Sequence, residues 1–154
     1  MDLGLRGKKA IVTGGTRGIG RAIAELLAGE GCNLALCARS RAGVDDALAA
    51  LARKGVKAYV GVVDVADTKA LRAWVAEAAD KLGGLDAFIA NVSALAQTMD
   101  EEAWHRSLDI DVMGTVAGVE AAIPTSKSRR PGRSWSSAPP AQSRLPGHRG
   151  PMPR

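Results

Sequence analysis

Three glycines in the segment Thr13–Gly20, which reads TGGTRGIG, are spaced so that they could bind the phosphates of a nucleotide. Glycines at positions 14, 18 and 20 would allow a tight turn, let main-chain amides approach a diphosphate, and let a following helix pack closely. The free amides and the positive dipole end of that helix would attract the same anion. A plain glycine-rich turn could contain the same residues, so the place of the segment in the fold decides between the two interpretations.

The segment lies between an apolar run, Ala10 to Val12, and a helical pattern that begins at Ile19. This order predicts a turn from a first strand into a first helix, which is where a dinucleotide-binding fold holds the diphosphate. We therefore favour the phosphate-binding interpretation. The candidate cofactor-binding residues of this turn are Thr13, Gly14, Thr16, Arg17, Gly18, Ile19 and Gly20.

The first 123 residues alternate short apolar runs with helical periodicity, which is typical of repeated strand-helix units around a parallel sheet. Right-handed crossovers between such units give one half of a doubly wound α/β sheet, with strand order 3-2-1-4 in the dinucleotide-binding layout. Strands are predicted near 8–12, 33–38, 57–63 and 85–90, and helices near 18–28, 41–53, 68–82 and 101–122.

Each of the first three predicted helices carries apolar residues at helical spacing, which we expect to be buried against the sheet. Asp67 is the expected cap of the third helix, and a capping box of Thr98 and Glu101 predicts the start of the fourth. The buried stripes are predicted to be Ile19, Ile23, Leu26 and Leu27, then Val44, Leu48 and Leu51, then Leu71, Trp74, Val75, Ala78 and Leu82.

The last 31 residues, 124–154, differ in composition from the rest of the chain. They contain all 7 prolines, 7 of the 21 Lys/Arg residues and none of the 16 Asp/Glu residues, whereas residues 1–123 are mildly acidic. The basic net charge of +5 therefore comes from this tail. The high content of Pro, Arg, Ser and Gly in the tail predicts that this segment is disordered. A basic arm for nucleic acid is the alternative that its charge leaves open.

The predicted folded part gives no sign of export or of membrane insertion. No run of apolar residues reaches the length of a membrane span, and the first residues lack the pattern of a signal peptide. We therefore expect a cytoplasmic protein. Cys32 and Cys37 fall on opposite faces of the second strand and are interpreted as packing residues, with a redox or metal role as the alternative.

The segment Thr13–Gly20 resembles the TGxxxGIG signature of the short-chain dehydrogenases/reductases, and it matches this signature at every fixed position. The resemblance implies a three-layer, Rossmann-like fold that binds a nicotinamide cofactor. It also implies hydride transfer between that cofactor and a carbonyl or secondary alcohol, and assembly into homo-oligomers.

The residues after the second strand bear on which nicotinamide cofactor is bound. A free ribose 2′-hydroxyl favours an acidic residue here, whereas a 2′-phosphate favours a small residue followed by a cation. The chain has Ala38, Arg39 and Ser40, and Arg17 can reach the same place. We therefore expect a preference for NADP, as in similar members of the family. Two solvated arginines are the alternative.

Three further positions resemble the family in part. Asp64 and Val65 match an Asp that accepts from the adenine amino group and a hydrophobic neighbour that packs on the ring, although Asp64 could also be an ordinary turn residue. Asn91 matches one asparagine of the family's NNAG motif, whose glycine position is Ser93. Asp111 stands where the family has the Asn of a proton relay, and an ionised Asp cannot donate a hydrogen bond.

The residues that carry out catalysis in the family have no counterpart in this chain. The family uses a Ser, a Tyr about 13 residues later as the general acid/base, and a Lys four residues after that Tyr. The single tyrosine here is Tyr59, in the third predicted strand, and no YxxxK sequence occurs. We therefore expect that the chain is catalytically inactive and acts at most as a nucleotide-binding fragment.

The tail also lacks the apolar residues of a fifth strand, since Leu145 is its only Val, Ile, Leu or Phe. Back-translation of residues 124–154 with G/C-rich codons, read one nucleotide earlier, permits an apolar strand, a Ser and a Tyr 13 residues after it. Our hypothesis is that residues 1–123 are an incomplete NADP-binding domain and that residues 124–154 are a frameshifted end.

Overall fold

The computed structural model describes residues 3–95 and 98–125, so the predictions for the tail from residue 126 onward lie outside the described residues. Four parallel strands form one sheet in the order β3-β2-β1-β4, which confirms the predicted strand order. The strands are β1 Lys9–Thr13, β2 Asn33–Ala38, β3 Ala58–Val62 and β4 Ala87–Ile89.

Helices connect the strands and cover both faces of the sheet, as right-handed crossovers require. They are α1 Gly18–Gly29, α2 Arg41–Ala52, α3 Thr68–Leu82, α4 Glu101–Ser107 and α5 Gly114–Ala122. The predicted fourth helix has the expected ends but is interrupted by a π-helical segment, Leu108–Met113, which we call the π turn. A short 3-10 helix, Ile123–Thr125, follows α5.

Two hydrophobic clusters lie on opposite faces of the sheet. One contains Ile11 with residues of α3 and α5, and the other contains Val12 with residues of α1 and α2. Cys37 belongs to the first cluster and Cys32 to the second, which confirms that the two thiols point to opposite faces. Both cysteines are buried and unpaired.

The burial predicted for α3 is confirmed, because all five apolar residues of its stripe are buried. The stripe predicted for α1 is wrong in two places, since Ile19 is 76% and Leu26 is 72% exposed. The residues that face the sheet are instead small, namely Gly20, Ala24 and Ala28, with Ile23 and Leu27 partly buried. A helix that packs this closely on a strand has room only for small side chains.

Two other predictions about the helices are corrected. Leu48 of α2 is 37% exposed because Ala47 and Ala50 take the buried positions of that turn. The cap of α4 is Asp100, whose carboxylate accepts from the main-chain amide of Ala103 at 2.8 Å, and so Thr98 and Glu101 form no capping box. The Thr98 hydroxyl bonds to this carboxylate and, with the Ala103 amide, lowers the pKa of Asp100.

Strand β4 lies at an edge of the sheet, and its only strand partner within the described ranges is β1. It is shorter than predicted: Leu85 just before it is buried, Ala87 at its start is exposed, and Phe88 and Ile89 are partly buried. In the described part of the chain no helix is long and apolar enough to cross a membrane, and no cluster of His, Cys, Asp or Glu could hold a metal ion.

Candidate functional site

The carboxyl ends of the four parallel strands meet at one end of the sheet, and each is followed by a segment that the sequence singled out. Ligands of open parallel sheets bind in the crevice at this end, where the strand order reverses between β1 and β4. The segments are the glycine turn after β1, Arg39 and Ser40 after β2, Asp64 and Val65 after β3, and Asn91 after β4.

The glycine turn requires glycine at two positions for different reasons. Gly14 has a φ of +67°, which side chains other than glycine rarely adopt. A Cβ atom at Gly20 would lie 2.3 Å from the main-chain oxygen of Gly14 and 2.5 Å from Nδ2 of Asn91. The absence of that atom lets the first turn of α1 pack directly against the end of β1.

The amino end of α1 lacks the side-chain cap that α2, α3 and α4 have. Ser40, Asp67 and Asp100 cap α2, α3 and α4 through their side chains, whereas Arg17 at the start of α1 makes no side-chain cap hydrogen bond. The first amides of α1 are therefore free to donate to an anion, and the helix dipole adds to the attraction.

Asn91 ties the loop after β4 to the glycine turn. Its side-chain amide donates to the main-chain oxygen of Thr13 at 3.1 Å and to that of Gly14 at 3.4 Å. Its main-chain amide donates to the Thr13 hydroxyl at 3.1 Å, and this hydroxyl lies 3.4 Å from the oxygen of Ile89. Thr13 and Asn91 therefore hold the walls of the crevice together.

Arg17 and Arg39 are exposed, and their side chains take part in no ion pair within the described residues. Neighbouring arginines are paired: Arg21 bonds Asp46 at 2.9 Å, and Arg41 bonds Asp45 at 3.2 Å. The nearby carboxylates of Asp45 and Asp46 are therefore already paired with other arginines, and Arg17 and Arg39 remain unpaired in the part of the chain that the structure describes.

The first turn of α2 lies beside the glycine turn, because a Cβ at Gly43 would be 3.4 Å from Oγ1 of Thr16. The Ser40 hydroxyl accepts from the Gly43 amide at 3.3 Å, and its own proton remains available to an incoming oxygen. The structure thus brings Thr16, Arg17, Arg39 and Ser40 to one region of the crevice.

Asp64 and Val65 contribute different atoms to the crevice. The carboxylate of Asp64 is exposed, and one of its oxygens accepts from the amide of Ala66 at 3.0 Å, which leaves the other oxygen available. The side chain of Val65 is 6% exposed and belongs to the core cluster that contains Ile11. Little of this side chain is therefore left to pack on a ligand ring.

Asp111 lies in the π turn and contacts the loop after β4. Its carboxylate accepts from the main-chain amide of Ala94 at 2.8 Å. Gly114 has the spacing from Trp104 and Asp111 that resembles the family's helix, whereas Ala94 and Thr115 were not singled out by the sequence, because single residues of these types carry no motif. A small cavity is lined by residues from β1, β4, the π turn and α5, among them Thr13, Phe88, Ile110 and Thr115.

The family model described as short chain dehydrogenase matches residues 8–134 of this chain. The chain belongs to the short-chain dehydrogenase family. The match includes every segment of the crevice and runs past the boundary at residue 123 that the sequence predicted. It accounts for the sheet order and for the glycine turn together.

Relatives of the short-chain dehydrogenase family resemble this chain over about four fifths of its length. An isoepoxydon dehydrogenase of Penicillium expansum is 39% identical over 127 residues, which are 80% of this chain and 49% of that protein. NAD⁺-bound xylitol dehydrogenase has a TM-score of 0.74 at 29% identity, with 79% of this chain and 48% of that chain covered. A blue fluorescent protein from a metagenomic library, in complex with NADPH, has a TM-score of 0.72 at 30% identity, with 79% of this chain and 52% of that chain covered.

The chain spans about half the length of the curated short-chain dehydrogenases that it matches. Its single tyrosine, Tyr59, lies in β3 and stacks on Trp74 with ring centroids 6.4 Å apart. Burial, and to a smaller extent a hydrogen bond to Glu77, raises the pKa of Tyr59. Tyr59 therefore lies away from the crevice and is poorly suited to act as a base there.

Proposed function

We propose that this chain is the nucleotide-binding half of an NADP-dependent oxidoreductase, and that it binds NADPH in preference to NADH. The observation that carries the proposal is the pair of exposed, unpaired cations, Arg17 and Arg39, beside the Ser40 hydroxyl. A 2′-phosphate carries negative charge and several acceptor oxygens, and guanidinium groups bind such anions with strong, charge-assisted hydrogen bonds.

The remaining contacts fit the rest of the same dinucleotide. The uncapped amides of α1, made accessible by Gly14 and Gly20, suit the diphosphate. The free carboxylate oxygen of Asp64 suits a donor such as the adenine amino group. Asn91 holds the wall of the crevice on the side of β4 and so positions the loop that would face the nicotinamide ribose.

When bound, the nicotinamide supplies or accepts a hydride, and the substrate class we propose is a carbonyl compound or a secondary alcohol. Asp111 holds the position of a family relay residue, and its carboxylate already accepts a hydrogen bond from the Ala94 amide. We propose that its role here is to orient the loop after β4. Because the chain has no Tyr and Lys at the spacing that the chemistry needs, the 154-residue chain binds the cofactor without turnover.

Isothermal titration calorimetry with NADPH and NADH tests this proposal. We expect tighter binding of NADPH, and Arg39→Ala should remove most of the preference. Loss of one or two charge-assisted hydrogen bonds predicts a weakening of about tenfold or more for NADPH, with little change for NADH. Arg41→Ala is the matched control, because Arg41 is the next cation along the chain and is paired with Asp45.

Equal affinity of the wild-type chain for both cofactors would argue against the phosphate site. An Arg41→Ala variant that loses as much NADPH affinity as Arg39→Ala would also count against it, because the effect would then reflect net charge. A repeat at higher ionic strength should weaken NADPH binding more than NADH binding, since salt screens the additional phosphate contacts.

A further inference from the structure

The π turn contacts both of the loops that follow β3 and β4. Gly114 donates its main-chain amide to the oxygen of Asp109, five residues back, whereas a regular helix would use the residue four back. Such wide turns are rare, and they frequently occur at functional sites. Specific contacts must therefore favour this turn over the regular helix.

Two of these contacts join the π turn to the crevice. On one side the carboxylate of Asp111 accepts from the Ala94 amide at 2.8 Å. On the other side Gly114, the first residue of α5 directly after the π turn, lies so close to the loop after β3 that an added Cβ would be 3.0 Å from the oxygen of Val65. The π turn is thus fixed between the segments that hold Asp64 and Asn91.

A third contact lies inside the helix. The hydroxyl of Thr115 donates to the main-chain oxygen of Asp111 at 2.8 Å. A bond of this kind, from a Thr hydroxyl to the carbonyl four residues back, adds a side-chain donor to the main chain at the carboxyl end of the wide turn. Thr115 therefore bonds the same residue whose side chain bonds the loop after β4.

We propose that Thr115 is a positioning residue, which holds the main chain of Asp111 so that the Asp111 carboxylate fixes the loop 91–95 at the crevice. A return to regular helix would rotate the chain near Asp111 by up to about 100° in total, the rotation of one α-helical residue, and would move the carboxylate away from Ala94. The consequence for cofactor affinity rests on the function proposed above. The consequence for the order of the loop does not.

Amide hydrogen exchange of the full chain, resolved at Ala94 by NMR, tests the inference with two substitutions at Thr115. Thr115→Val keeps the shape of the side chain but loses the donor, whereas Thr115→Ser keeps the donor. We expect Thr115→Val to speed exchange at Ala94 by about fivefold to tenfold and to weaken NADPH binding by a similar factor. Thr115→Ser should remain close to the wild-type chain in both measurements.

Thr125→Val is the matched control, because the Thr125 hydroxyl also donates to a helical carbonyl, that of Ala122, at 2.8 Å. It should leave exchange at Ala94 unchanged. Equal exchange at Ala94 in Thr115→Val and wild type would overturn the inference. So would a rise in exchange spread evenly over the sheet, or a Thr115→Ser variant that behaves like Thr115→Val.

Failure of the proposed function can be distinguished from failure of the inference about Thr115, because the first is read from NADPH binding and the second from exchange at Ala94. If the wild-type chain bound no NADPH, the cofactor proposal would fail, and exchange at Ala94 in the same three variants would still decide whether Thr115 orders the loop. If the wild-type chain bound NADPH and Thr115→Val changed exchange but not affinity, the effect on the cofactor site would be refuted.

Discussion

The side-chain amide of Asn91 lies 3.1 Å from the main-chain oxygen of Thr13, and this contact joins the edge strand β4 to the central strand β1 at the start of the glycine turn. The main-chain amide of Asn91 bonds the Thr13 hydroxyl as well. Thr13 is 3% exposed, so these bonds are shielded from water and their loss cannot be offset easily by solvent.

Asn91→Ala should lower the free energy of unfolding by about 1 to 3 kcal/mol, because it leaves the oxygens of Thr13 and Gly14 without the side-chain donor. Urea denaturation measures this change. It should also weaken NADPH binding, since the wall of the crevice loses its tie. Asn33→Ala is the control: Asn33 accepts from the Lys57 amide at 2.9 Å at the other end of the sheet, so it should affect stability alone. An Asn91→Ala variant as stable as the wild type would contradict the prediction.

Cys37 should resist thiol reagents while the chain is folded. Burial raises the pKa of the Cys37 thiol to about 12, and the thiolate that reacts is then scarce at pH 8. The raised pKa contributes stability that is fully present below the unfolded pKa of about 9 and is lost as the pH rises towards 12, because the unfolded chain ionises first. Labelling with iodoacetamide at pH 8, with and without urea, measures the protection. Rapid labelling of native Cys37 would refute it.

Reductase turnover of the 154-residue chain should be undetectable with any carbonyl substrate, because the chain lacks the Tyr and Lys that would transfer the proton. Oxidation of NADPH followed by absorbance measures this, after removal of host reductases. Gly18→Asp places a negative charge where the diphosphate is proposed to bind and serves as the control. A rate that persists in the purified wild-type chain and disappears in Gly18→Asp would show that the prediction is wrong.

The chain should self-associate, because the helical surface of α4 and the π turn exposes large apolar side chains. Trp104 is 56%, Leu108 is 50% and Val112 is 48% exposed, and contiguous apolar surfaces of this kind promote association. Light scattering should rise with concentration, and Leu108→Glu should reduce it. Leu48→Glu, at a less exposed leucine on α2, should have little effect. A wild-type chain that remains a monodisperse, cooperatively melting monomer would contradict this expectation.

The sequence was sufficient for the strand order and for the location of the crevice, because the alternation of strands and helices restricts the topology strongly. The stripe of α3 was predictable since that helix packs large side chains with regular spacing. The stripe of α1 was not, because its close approach to β1 selects Gly20, Ala24 and Ala28, and periodicity of large apolar residues does not reveal such packing.

The π turn was not predictable for a related reason. Residues 101–122 read as one helix, and the wide turn within them depends on contacts with distant residues, above all that of Asp111 with Ala94. Local propensity carries no information about such contacts. The start of α4 at Glu101 was predicted correctly, but its capping residue was not. Thr98 and Asp100 are both suitable polar residues near this end, and the carboxylate of Asp100 is the cap.

The contact between Asn91 and Thr13 spans 78 positions of the chain. During synthesis β1 can pair with β2, and β2 with β3, long before β4 leaves the ribosome, so three of the four strands can form before the loop after β4 reaches the glycine turn. The crevice therefore gains its wall on the side of β4 only after most of the sheet is paired, when Asn91 reaches the end of β1. A ribosome that pauses before that point holds a nascent chain with a largely paired sheet and an incomplete crevice.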